Sequence, residues 1–205
     1  PERLSNELCS LRPHEDKLTF SAVFELDQNA NIKKQWFGRT IIHSDRRFTY
    51  DEAQDRLETY KGDFASDLNI LNDLARKLRT NRFSHGSINF ETTEVKFELS
   101  EDGKPLAIVP KVRKDAHKLI EEFMLLANKK VAEFVFKPGG NNGERTFVYR
   151  IHDEPDTDKL QVFSTFAKKF GHKLDFRQEG IARALNRLMD EIEGKPEQNV
   201  LENLA

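Results

Sequence analysis

The stretch from Lys17 to Ser44, "KLTFSAVFELDQNANIKKQWFGRTIIHS", sets the fold class. Leu18, Phe20, Ala22, Phe24 and Leu26 recur at every second position, the period of a strand with one apolar face. "DQNAN" then supplies turn chemistry, and "IKKQWFGRTIIHS" reads as a returning strand. The two predict an antiparallel hairpin. A second hairpin is expected in "SINFETTEVKFELSEDGKPLAIVP", from Ser87 to Pro110. It alternates through Val95, Phe97 and Leu99, turns at Asp102-Gly103, and returns through Leu106 and Ile108.

Helices are expected between and after these hairpins. "TYDEAQDRLETY" predicts a short helix capped by Thr49. "GDFASDLNILNDLARKLRTNRF" predicts a longer one, with Asp63 as N-cap and Phe64, Leu68, Leu71, Leu74, Ala75 and Leu78 as its stripe. A third spans roughly Asp115 to Phe136. "TFVYRIHD", from Thr146 to Asp153, reads as a strand. A further helix follows Pro155 and stops at Gly171, and another runs from about Gly180 to Ile192. Hairpins alternating with helices predict an α+β class: a mixed or antiparallel sheet with several helices packed against it. No linker long enough to divide two domains is evident, so 1–205 reads as one piece without an internal boundary.

Bulk composition narrows the function classes. The 205 residues are 37% hydrophobic and 33% charged, and sixteen Phe need burial, so the chain is globular rather than disordered. A net charge of −2 argues against holding nucleic acid by bulk electrostatics, while leaving room for stacking and hydrogen bonds. The single cysteine, Cys9, permits no internal disulfide, suits a reducing, cytoplasmic setting, and is expected to be buried and inert. The longest apolar run is five residues, from Phe123 to Ala127, too short to span a membrane. The six histidines lack metal-ligand spacing, and "PGGNNG" lacks the lysine of a phosphate loop. Asp45, Asp51 and Asp55 read as caps and surface charges.

"HKLIEEFMLLANKK", from His117 to Lys130, carries adjacent glutamates. At 100° per residue, Glu122 shares a flank with Lys118, Lys129 and Glu133 and is expected to face water. Glu121 falls beside His117 and Asn128, in a polar strip bordered by apolar side chains. A carboxylate there needs a partner, either an internal ion pair or a ligand.

Five blocks, in order, carry a resemblance: "PERLSNELCSLRP", "FTYDEAQ", "INFETTEVKFELSEDGKP", "HKLIEEFMLLANKKVAEFV" and "FVYRIHDEPD". Together they resemble the ribonuclease II/R catalytic (RNB) domain nearly end to end, and their wording is nearer the ribonuclease R branch. The resemblance implies a Mg²⁺-dependent exoribonuclease that degrades single-stranded RNA from its 3′ end to 5′-mononucleotides. It carries over three RNA-binding residues. Phe90 would stack on the terminal base, and Tyr50 and Glu121 would sit near the sugars and select ribose. A carboxylate can accept a hydrogen bond from a 2′-OH, which DNA lacks, and a ring gives a sequence-tolerant stacking surface. The resemblance places the metal-binding aspartates upstream of Pro1 and a catalytic arginine block downstream of Ala205. On that reading the chain is the central part of one catalytic domain, holds no catalytic or metal-binding residue, is inactive alone, and self-associates through exposed apolar edges. The alternative is a non-catalytic RNA-binding or structural module.

Overall fold

The structure is a computed structural model of the chain and describes residues 2–88, 94–136 and 146–205. The class is α+β, with antiparallel hairpins as expected. β1 (Asp16–Leu26) pairs with β2 (Ile32–His43), and β3 (Glu94–Leu99) pairs with β4 (Pro105–Lys111). The helices are α1 (Tyr50–Thr59), α2 (Ala65–Ser84), α3 (Asp115–Phe136), α4 (Thr157–Lys168), α5 (Ile181–Ile192) and α6 (Gln198–Leu204), after a short π-helical turn at Arg3–Leu8. The chain divides into two compact units. One comprises Pro1–Arg79 and Lys114–Tyr149, the other Thr80–Arg113 and Arg150–Ala205.

In the first unit, Asp27 ties the β1–β2 loop. Its Oδ1 accepts from the backbone N–H groups of Asn29 and Asn31, both at 2.9 Å, while Lys33 Nζ lies 3.1 Å from Oδ2. These donors, the Asn31 backbone first, hold the Asp27 carboxyl far below the ordinary carboxylate range. Midway along the hairpin, where it pairs with Ala22, Phe37 packs on Phe134 of α3, with ring centroids 4.9 Å apart. The open end differs from expectation. Leu18 and Phe20 remain 85% and 73% exposed, while Thr19, Ser21 and Thr40 on the opposite face are half-buried and share hydroxyl hydrogen bonds. Strand alternation fixes which residues share a face, but the face that is covered depends on what packs there.

In the second unit, α4, α5 and α6 bury Phe163, Ala167, Leu188, Ile192 and Leu201 into one core. His172 anchors it: Nδ1 lies 3.0 Å from Glu191 on α5, and Nε2 lies 3.3 Å from Glu197 ahead of α6. Asp156 caps α4, accepting from the N–H groups of Asp158 and Lys159, and Gly171 turns the chain beyond it at φ +92°.

Three further expectations give way. Asp63 does not cap α2: its carboxylate is held 3.0 Å from each of Arg46 and Arg56. Thr146–Asp153 is exposed and forms no strand among the described residues, because an alternating pattern needs a partner edge to become a strand. Cys9 is exposed rather than buried, in the turn after the π-helical segment.

Candidate functional site

The site grows from the start of α1. Thr49 caps α1 as expected, and with Glu52 it forms a capping box. Thr49 Oγ1 accepts from Glu52 N at 3.2 Å, and Glu52 Oε2 accepts from Thr49 N at 2.8 Å. The bond from the Thr49 backbone lowers the Glu52 carboxyl below its usual range. Tyr50 is therefore the first residue of a helix whose entry is rigidly set, and its side chain stays 48% exposed.

The N-terminus of α3 is brought beside it by two long-range ties. The buried Gln54 of α1 accepts from Ala116 N at 3.0 Å, satisfying a first-turn donor. Arg76 of α2 pairs with Asp115 at 2.5 Å, and that bond holds the Asp115 carboxyl down. With α3 so fixed, the His117 ring stacks on Tyr50, centroids 4.1 Å apart and planes 11° from parallel. His117 and Glu121 are four residues apart on α3, hence on one face and about 6 Å apart along the axis. Below Tyr50 an apolar cavity of about 410 Å³ opens, lined by Phe48, Leu57, Leu68, Leu119 and Ile120 among others.

Of the sequence-predicted residues, Tyr50 stacks on His117, and Glu121 follows His117 by four residues on α3. Phe90 lies outside the described residues. The expectation for Glu122 is overturned. Its side chain is only 3% exposed, whereas that of Glu121 is 29% exposed. Both face one guanidinium: Arg79 Nη1 of α2 lies 3.7 Å from Glu122 and 3.9 Å from Glu121. The helical wheel put Glu122 among other charges and read that flank as solvated. The partner that makes burial tolerable sits on α2, forty-three residues earlier, where no wheel of α3 can register it. Gln54, Arg79 and the role of His117 were missed. Only the four-residue spacing of His117 and Glu121 was visible in advance.

A magnesium ion, implied by the resemblance, is not matched by a donor set here. Among the described residues no group of three or more His, Cys, Asp and Glu side chains converges to hold a metal. No helix among them is long and apolar enough to cross a membrane.

Comparison with known proteins adds the remaining constraint. The chain is 33% identical over 211 residues to the ribonuclease R of Aquifex aeolicus, a match covering 100% of this chain and 29% of that protein. It is also 33% identical over 197 residues to an inactive exonuclease DIS3L2 of Arabidopsis thaliana, covering 88% of this chain and 18% of that one. Its fold matches the solved structure of Mycoplasma genitalium RNase R in complex with double-stranded RNA with a TM-score of 0.87 at 25% identity, over 100% of this chain and 36% of that one. The chain spans under a third of the length of these curated relatives. The RNB domain family model matches residues 1–205 throughout, and the chain belongs to the RNB domain family.

Proposed function

We propose that this chain is the part of a 3′-to-5′ exoribonuclease that holds the 3′ end of single-stranded RNA, within one catalytic domain, with Tyr50, Phe90 and Glu121 contacting the terminal nucleotides. The observation that carries the reading is the stack of the half-exposed Tyr50 on His117 of α3, with the partly exposed Glu121 four residues further along the same helix. Tyr50 offers a ring face and a phenol hydroxyl to a sugar or base. Glu121 accepts a hydrogen bond from a ribose 2′-OH, while Arg79 neutralises part of its charge and limits its rotamers. The magnesium chemistry of phosphodiester hydrolysis has no donor set among the described residues, and no step is assigned to it. By itself the chain should therefore release no mononucleotides. Its exposed apolar side chains favour self-association in that state.

The test compares affinity for an all-ribose oligonucleotide with affinity for one carrying 3′-terminal deoxynucleotides, in the full-length protein with chelator present so that nothing is cut. Glu121→Ala is expected to cost roughly 1.5–3 kcal/mol on ribose ends only, the loss of a hydrogen bond to a charged acceptor. Equal ribose preference in wild type and variant would remove Glu121 from the site. A second reading, RNA binding without cleavage, is favoured by the inactive Arabidopsis relative. Retained RNA binding without magnesium-dependent mononucleotide release from the full-length protein would establish that reading in place of the first.

A further inference from the structure

We infer that His117 is the positioning residue for Tyr50, the imidazole that holds the phenol ring in its RNA-facing orientation; this rests on the reading of the site above. The His117 ring is tied to the start of its own helix, and its backbone N–H donates to the Lys114 carbonyl at 3.0 Å. Its Nδ1 accepts the backbone N–H of Lys114 at 3.3 Å, and the Lys114 carbonyl accepts from Lys118 N at 3.2 Å to open α3. The imidazole therefore takes the place of the glutamate in a capping box, reaching back three residues to an otherwise orphaned amide. Accepting at Nδ1 puts the ring proton on Nε2. The ring cannot turn without breaking that bond, so its face is a fixed platform. Tyr50 lies flat on this platform at 4.1 Å and 11°.

The consequence is preorganisation. An exposed tyrosine at a helix start samples several rotamers and loses that freedom on binding. Stacking against His117 removes the freedom beforehand, leaving the opposite ring face and the hydroxyl for the ligand. His117 itself need not touch RNA. Cap and stack are separable by substitution, because asparagine can accept the Lys114 amide without offering a ring, and phenylalanine offers a ring without an acceptor.

The experiment measures binding of a fluorescein-labelled oligoadenylate with a free 3′ end to the full-length protein in chelator, together with thermal melting. The variants are Tyr50→Ala, His117→Asn and His117→Phe. The expected pattern is affinity loss of about two- to tenfold for His117→Asn with little change in melting, since an aromatic pair contributes that much. His117→Phe should bind nearly as wild type while melting earlier. Tyr50→Ala should lose at least as much affinity as His117→Asn. If Tyr50→Ala weakens binding and His117→Asn does not, the inference fails and the reading of the site stands. If Tyr50→Ala binds as wild type, both fail. If His117→Phe loses as much affinity as His117→Asn, a ring at this position does not suffice to hold Tyr50, and the positioning role through stacking is overturned.

Discussion

The guanidinium of Arg79 lies 3.7 Å from the carboxylate of Glu122, and that carboxylate is almost wholly removed from water. A buried carboxylate without a cation costs several kcal/mol, so α2 and α3 are joined here by an electrostatic necessity rather than by apolar contact alone. Glu121, the preceding residue, shares the same cation from a more exposed position.

Arg79→Met should therefore destabilise the protein by on the order of 3 kcal/mol, the usual consequence of stranding a buried charge. Glu122→Gln in the Arg79→Met background should restore part of the loss, because the amide carries no charge to strand. Denaturant unfolding of the two singles and the double completes the cycle. Additive losses would show that the two groups do not interact.

Asp27 makes a prediction about acid. Its folded carboxyl is depressed by the Asn31 and Asn29 donors and Lys33, so the folded state prefers it ionised. The stabilisation is complete above the unfolded value of about 3.9 and is lost as pH falls from there toward the lower folded value. Asp27→Asn should lower the melting temperature at pH 6, and the gap from wild type should close steadily below pH 4. A gap that stays constant down to pH 2 would mean that loop shape, not the carboxylate charge, is responsible.

The outward face of the first hairpin predicts association of the isolated chain. Leu18 sits opposite Ile41, with Phe20 two residues on, and all three are more than two-thirds exposed. Leu18→Lys with Phe20→Glu should shift sedimentation toward the monomer without lowering the melting temperature, because neither side chain contributes to a buried core. A wild-type chain that sediments as a monomer at high concentration would end this expectation.

Much of the secondary structure was legible in the sequence because its causes are local. The alternation of Leu18 to Leu26 and the Asp27 to Asn31 turn specify the first hairpin within thirty residues. Thr49 and Glu52 set the start of α1, and Asp115 to Phe136 carries one helical pattern throughout. The Thr146–Asp153 segment has the same kind of alternation and forms no strand, because backbone pairing is a property of two segments.

The sequence by itself determined the two hairpins, the approximate course of α1 to α5 and, through its ordered blocks, the family. Tertiary structure alone decided which glutamate is buried, which hairpin face is covered, and that His117 lies beneath Tyr50. A helical wheel ranks the faces of an element by polarity, but burial depends on what the neighbouring elements bring. Gln54 and Arg76 fix where α3 begins, and Arg79 supplies the cation that lets Glu122 turn inward. These partners lie about forty to sixty residues away along the chain, and only the packed fold places them within reach.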